Sequence, residues 1–248
     1  MKKYLFLALI ICSYLSHAQE RITPVNAQNK QLKINRLKYG ETEYLVYLTD
    51  TNFNRIGNSE IWKRKTSKAM FHGKEAVKFD FIRYHKDSLL IHTVNYCDLE
   101  TLAPIYHVAQ VYGKGVVAYN FEGAQMKPAD TVAHNGALKR VPVNLTIPVI
   151  SWEQDMETYP LLPITKVGQK FNIAFFDPNE QSPSYHTYEV YAKEDLTIGQ
   201  GIKAKCWILK IDYGKGNYAL FWLHENDLEV LKMKEYFNGK YRFKVKLY

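Results

Sequence analysis

The chain closes with "KMKEYFNGKYRFKVKLY", Lys232 to Tyr248, in which apolar residues alternate with cations around Asn238 and Gly239. Period-two alternation on both sides of an Asn-Gly pair reads as a β-hairpin. Its register depends on the loop. A two-residue loop, Asn238-Gly239, sets Met233 opposite Lys244 and Leu231 opposite Lys246, so each face mixes charge with apolar groups. A three-residue loop, Phe237-Asn238-Gly239, sets Met233 against Phe243 and Leu231 against Val245. Slipping a strand by one residue moves every side chain to the other face, so burial of apolar groups selects the three-residue loop. That register collects Lys232, Lys234, Arg242, Lys244 and Lys246 on one face. Such a face is either a solvated wall of the sheet or a docking surface for an anionic partner, a lipid headgroup or an acidic protein.

Similar alternation recurs upstream. "EYLVYLTD" (Glu43–Asp50) and "EAVKFDFIRYH" (Glu75–His85) read as strands, and "HGK" at Gly73 as a hairpin turn. "GKG" occurs twice, at 113–115 and 214–216, each time between two strand-like runs. Neither copy has the remainder of a phosphate-binding loop or a following helix, so both read as turns. Aromatic residues make up 14% of the chain, with 19 Tyr, which fits a pleated sheet. The expected fold is therefore mainly β: an antiparallel, strongly bent sheet or incomplete barrel.

One segment departs from the pattern. In "SWEQDMETYPLLP", Trp152, Met156 and Tyr159 share a helical face, Ser151 and Gln154 have capping-box spacing, and Pro160 follows. This predicts one short inserted helix over Ser151–Tyr159, packed against the open side of the sheet.

The N-terminus, "MKKYLFLALIICSYLSHA", has two lysines, an apolar run too short to span a bilayer, and small residues at Ser16 and Ala18. It reads as a signal peptide over 1–18, cleaved before Gln19, and places the mature protein in the periplasm or outside the cell. Cys12 follows the bulky Ile11 and reads as part of the signal. Residues 19–38 are polar and irregular, an expected flexible lead-in, and 39–248 form one β domain. No later segment is apolar enough for a transmembrane span. Loss of the leader's two lysines lowers the formal excess from +8 to about +6, a bias that suits anionic surfaces and is too weak to argue for nucleic acid.

Chemistry is sparse. No GxSxG elbow, HExxH or CxxC spacing occurs, so no catalytic residue, metal site or cofactor is read from the chain. Cys97 and Cys206 are a possible disulfide, worth about 4–5 kcal/mol over so long a loop, or else two buried strand thiols. The large aromatics of the central strands, Trp207, Phe221 and Trp222, are candidates for lining a ligand cavity. Phe221 and Trp222 point to opposite faces, so at most one of them lines it. Oligomeric state is not encoded in any recognisable pattern.

The second half also resembles a known family. "PLLPITKVGQKFNIAFFDP", with Leu162, Pro163 and Gly168, is followed by an "EVYAKE" strand, a "KCWILKI" strand, and a Trp-bearing strand and last hairpin marked by Trp222, Asp227 and Leu231. In this order of elements, over roughly Tyr44 to Tyr248, the chain resembles an exported, β-rich bacterial family classed as domain of unknown function 3108. The resemblance implies a curved or barrel-like antiparallel β protein with one inserted helix, and no catalytic residues. Curved β folds of this kind often enclose apolar cavities, and this analogy implies a binding module for an apolar or amphipathic envelope ligand such as lipid. An assembly protein docking through its basic hairpin, and a hydrolase without a readable motif, are the alternatives.

Overall fold

The computed structural model describes residues 22–247; the expected signal peptide, its cleavage site and Cys12 lie outside them. Strand β1 (Ile22–Val25) precedes a meander of β2 (Gly40–Thr49), β3 (Arg55–Phe71), β4 (Lys74–His85), β5 (Ser88–Cys97), β6 (Pro104–Val111), β7 (Gly115–Glu122), β8 (Gln125–Pro128) and β9 (Val143–Asn144). A crossing segment follows: β10 (Ile150–Ser151), a 3-10 turn at Trp152–Gln154, the helix α1 (Asp155–Thr158), a second 3-10 turn at Tyr159–Leu161, then β11 (Lys170–Ile173) and β12 (Phe175–Phe176). The second meander is β13 (His186–Ile198), β14 (Ile202–Gly214), β15 (Asn217–His224), β16 (Val230–Phe237) and β17 (Lys240–Leu247).

Strand β17 pairs with β2 and fuses the two meanders into one 15-stranded sheet, ordered β1-β11-β13-β14-β15-β16-β17-β2-β3-β4-β5-β6-β7-β8-β9. Its only parallel pair among the described residues is β1 with β11. The sheet is mainly antiparallel, strongly twisted and not closed into a barrel, since β1 and β9 remain as edges. Bulges interrupt the β2–β3, β13–β14 and β15–β16 ladders and sharpen the bend. The concave face holds the main core, where Tyr159, Tyr188, Phe175 and Phe221 pack ring against ring.

Four sequence expectations need correction here. Residues 22–38 are not a lead-in: β1 pairs with β11, and Val25, Ala27 and Leu32 are buried in the core. That pairing joins segments almost 150 residues apart and leaves no local periodicity. The capping box is not formed, because Ser151 Oγ and Gln154 Oε1 are buried without partners and the turn carries no side-chain cap. Cys97 and Cys206 are free thiols in separate clusters, Cys97 in the concave core and Cys206 on the convex side.

The fourth correction concerns the terminal hairpin. Asn238 and Gly239 both have positive φ, +49° and +78°, and form a two-residue turn. Met233 therefore faces Lys244, Glu235 faces Arg242 and Lys234 faces Phe243. The five cations divide between faces: Lys232 and Lys234 lie on the convex side, whereas Arg242, Lys244 and Lys246 lie on the concave side. Asn-Gly strongly favours this turn. The concave charges are tolerated because acidic groups, some from distant segments, reach them there.

Candidate functional site

The alternation of β3 points Trp62, Arg64 and Thr66 into the concavity beneath α1. Arg64 is 5% exposed. Its Nε donates to Glu157 Oε1 at 2.7 Å and an Nη to Glu157 Oε2 at 2.6 Å, while the same Nη also donates to the Glu153 carbonyl and lies 3.5 Å from Asp155 Oδ1. Burial works against the charged guanidinium, but Glu157 and Asp155 more than offset it and hold Arg64 above its ordinary range. The Arg64 guanidinium also stacks 4.9 Å from the Phe81 ring centre.

Lys244 approaches the same acids from β17. Its Nζ lies 4.0 Å from Asp155 Oδ2, 3.9 Å from Met156 Sδ and 4.6 Å from the centre of the Trp62 ring. Burial pushes its ammonium down to about 8. On the neighbouring ladder Arg242 pairs with Glu235 at 2.7 Å. Further along the sheet Glu153 Oε2 accepts from Asn95 Nδ2 at 3.1 Å and meets His107 Nδ1 at 3.3 Å. Burial raises the Glu153 carboxyl, and His107 with Asn95 brings it below its ordinary value. The short helix is thus fastened to the sheet by ion pairs as well as by Met156 and Tyr159.

Beside this floor a cleft of about 600 Å³ opens at one rim. Leu37, Tyr39, Tyr44, Met156, Pro160 and Val230 form its apolar walls, and Arg64, Thr66 and Glu157 its polar base. Tyr44 is buried, donates to the Val230 carbonyl at 2.9 Å, and has its hydroxyl pushed well above the usual tyrosine range by that burial. At the mouth Lys246 meets Glu229 at 3.0 Å and Lys38 meets Asp227 at 2.6 Å. Burial raises the Asp227 carboxyl, yet Lys38 and His224 outweigh it and bring the group to about 2.

None of the aromatic sequence candidates lines this cleft, and of the five candidate cations only Lys246 does. Trp207 and Phe221 are buried in the concave core, and Phe221 packs 4.7 Å from Tyr159. Trp222 is buried in the convex cluster, where its Nε1 donates to Glu194 and Lys232 stacks 4.9 Å from its ring. The cleft residues escaped sequence reading because half come from the 36–44 segment, read partly as lead-in, and because Arg64 sits in a run of cations, "KRK", with nothing local to distinguish it.

Comparison with known proteins agrees with this architecture. A family model described as "Protein of unknown function (DUF3108)" matches residues 43–246. This chain belongs to the DUF3108 family. The match spans β2 to β17 and so includes both meanders, α1 and most of the cleft. Among solved structures, the DUF3108 chain resembles a beta-barrel-like protein of DUF1849 from Brucella abortus, with 13% identity, 86% of this chain and 97% of that chain covered, and a TM-score of 0.53. That likeness shows the fold. Weaker matches are a protein described as a lipoprotein from Parabacteroides distasonis (9% identity, 85% and 94% covered, TM-score 0.33) and lipoprotein LppX of Mycobacterium tuberculosis (8% identity, 87% and 91% covered, TM-score 0.23). A search of curated proteins gives no significant match.

Proposed function

We propose that this DUF3108 protein is an exported, non-enzymatic binding module that holds an amphipathic ligand in the rim cleft. The observation that carries the reading is the pairing of apolar walls with a fixed, charged base. Leu37, Tyr39, Met156 and Val230 offer apolar contact, while Arg64 and Glu157, locked to each other, offer preset polar groups. The volume, about 600 Å³, suits a small amphiphile, since ligand pockets typically span roughly 300–1,000 Å³. The signal-like N-terminus supports export, and a lipid is the amphiphile class that an envelope supplies in quantity.

The reading is tested by titrating the protein with the fluorescent amphiphile 8-anilinonaphthalene-1-sulfonate and displacing it with a lysophospholipid. Tyr39 is exposed and Thr42 half-buried, so Tyr39→Asp and Thr42→Trp alter the cleft with little effect on folding. Saturable, displaceable binding that both variants weaken supports the proposal. Binding unchanged by either variant refutes it.

A further inference from the structure

Antiparallel alternation brings five hairpin tips to one rim, that of the turns β14–β15, β16–β17, β2–β3, β4–β5 and β6–β7. Three share a sequence pattern of aromatic residue, glycine and lysine: Tyr112-Gly113-Lys114, Tyr213-Gly214-Lys215 and Phe237-Asn238-Gly239-Lys240. A fourth tip carries Phe53 with Arg55. Three of these aromatics face water, Phe53 being 59% exposed, Tyr112 56% and Phe237 49%, whereas Tyr213 is 36% exposed and turns its hydroxyl to Glu235. The lysines beside them are exposed too.

Phe53 is the most telling. It has φ +63°, a left-handed conformation that a bulky residue adopts only at a cost and that Asn or Gly adopts readily. Neither local backbone preference nor core burial accounts for a phenylalanine there. Its ring stacks 5.1 Å from Tyr241, and Tyr241 in turn lies 5.0 Å from Tyr236, while Phe237 meets Tyr213 at 6.2 Å. An exposed aromatic patch of this kind marks an interaction surface.

The charge around it is net positive: Arg55, Lys86, Lys114, Lys215 and Lys240 against Asp50, Asp87 and Asp212. Aromatic rings prefer the headgroup level of a bilayer, and neighbouring lysines are attracted to anionic lipid.

We infer that this rim docks the protein end-on to an anionic phospholipid bilayer, with Phe53, Tyr112 and Phe237 entering the headgroup layer and Lys114, Lys215 and Lys240 meeting phosphates. The ligand cleft lies at the opposite rim, where β2 begins and β17 ends, so docking leaves it open to the aqueous side. The inference stands independently of what the cleft binds.

The test is co-sedimentation of the protein, in its natural processed form, with vesicles of phosphatidylglycerol and phosphatidylcholine or of phosphatidylcholine alone. Binding to the anionic vesicles is expected at 0.1 M salt and should weaken at 1 M, where the Debye length falls from about 10 to about 3 Å. Changing Lys114, Lys215 and Lys240 together to Gln should cost about 100-fold in affinity, at about fivefold per cation. Phe53→Asn with Phe237→Asn should abolish the binding that survives high salt without lowering Tm. Lys203→Gln with Lys205→Gln, at the far end of β14, should change nothing. Absence of binding to anionic vesicles, equal binding to both vesicle types, or rim variants that bind like the unaltered protein would overturn the inference. So would capture of an acidic protein by the rim in place of vesicles.

Discussion

Arg64 and Glu157, 93 residues apart in sequence, hold each other through two hydrogen bonds of 2.7 and 2.6 Å inside the bend of the sheet. This contact joins the first meander to the crossing segment and forms the base of the cleft. Removing one partner of a buried ion pair strands the other in a poorly solvated site, which typically costs 3–5 kcal/mol. Arg64→Met should therefore destabilise the protein by about that amount. The double change Arg64→Met with Glu157→Met should cost less than the sum of the two single changes, because no lone charge remains from that pair. Urea unfolding of the three variants measures the coupling.

Lys244 gives a pH dependence of defined sign. Its folded-state value, about 8, is depressed from 10.5. Below pH 8 both folded and unfolded states are protonated and the full penalty of burying the ammonium is present. Between 8 and 10.5 the unfolded state holds the extra proton, so stability rises with pH. From pH 8 to 9 the gain should be about 1 kcal/mol. Between pH 8 and 9 the buried thiols already act in the opposite sense, because their unfolded counterparts ionise near 9 while burial pushes Cys97 up to about 12 and Cys206 to about 11. The Lys244 contribution is therefore the difference between the unaltered protein and Lys244→Met. On going from pH 8 to 9 the variant should lose about 1 kcal/mol relative to the unaltered protein, measured by urea unfolding. A difference that stays constant between the two pH values would contradict this role for Lys244.

The Asn238-Gly239 turn fixes the register that places Lys244 inside. Gly239 has φ +78° with open space where a side chain would begin, so the penalty for a substitution there is conformational rather than steric crowding. Gly239→Ala should cost about 1–2 kcal/mol. Asn238→Gly, which keeps the turn, should leave Tm nearly unchanged. Thermal unfolding of the pair compares them directly.

Phe221 is 2% exposed and wedged against Tyr159. Phe221→Ala should cost about 3–5 kcal/mol and lower Tm. Because Phe221 does not line the cleft, amphiphile affinity measured well below the variant's Tm should stay within a fewfold of the unaltered value. A selective loss of affinity with an unchanged Tm would return Phe221 to a ligand role.

Strand alternation, the turns at Gly73 and the two GKG sites, and the short helix were legible because each rests on local periodicity or turn chemistry. The terminal register was misread for a physical reason. The rule that apolar residues face inward fails where the concave face is itself charged, and the acids that neutralise Lys244 and Arg64 come from residues 153–157, far from both in sequence. Strand β1 was missed because its partner lies in β11. The GKG and Asn-Gly turns were legible one by one as turn chemistry, but only the antiparallel topology shows that the three aromatic-Gly-Lys tips share a rim.

The central claim, that the rim cleft holds an amphipathic ligand, is tested most directly by native mass spectrometry of the protein purified from the envelope of its producing cells. The unaltered protein should exceed its polypeptide mass by that of a bound amphiphile, and Thr42→Trp, which narrows the cleft, should fly at its polypeptide mass. An unaltered protein found only at its polypeptide mass, or the same adduct on both proteins, would contradict the claim.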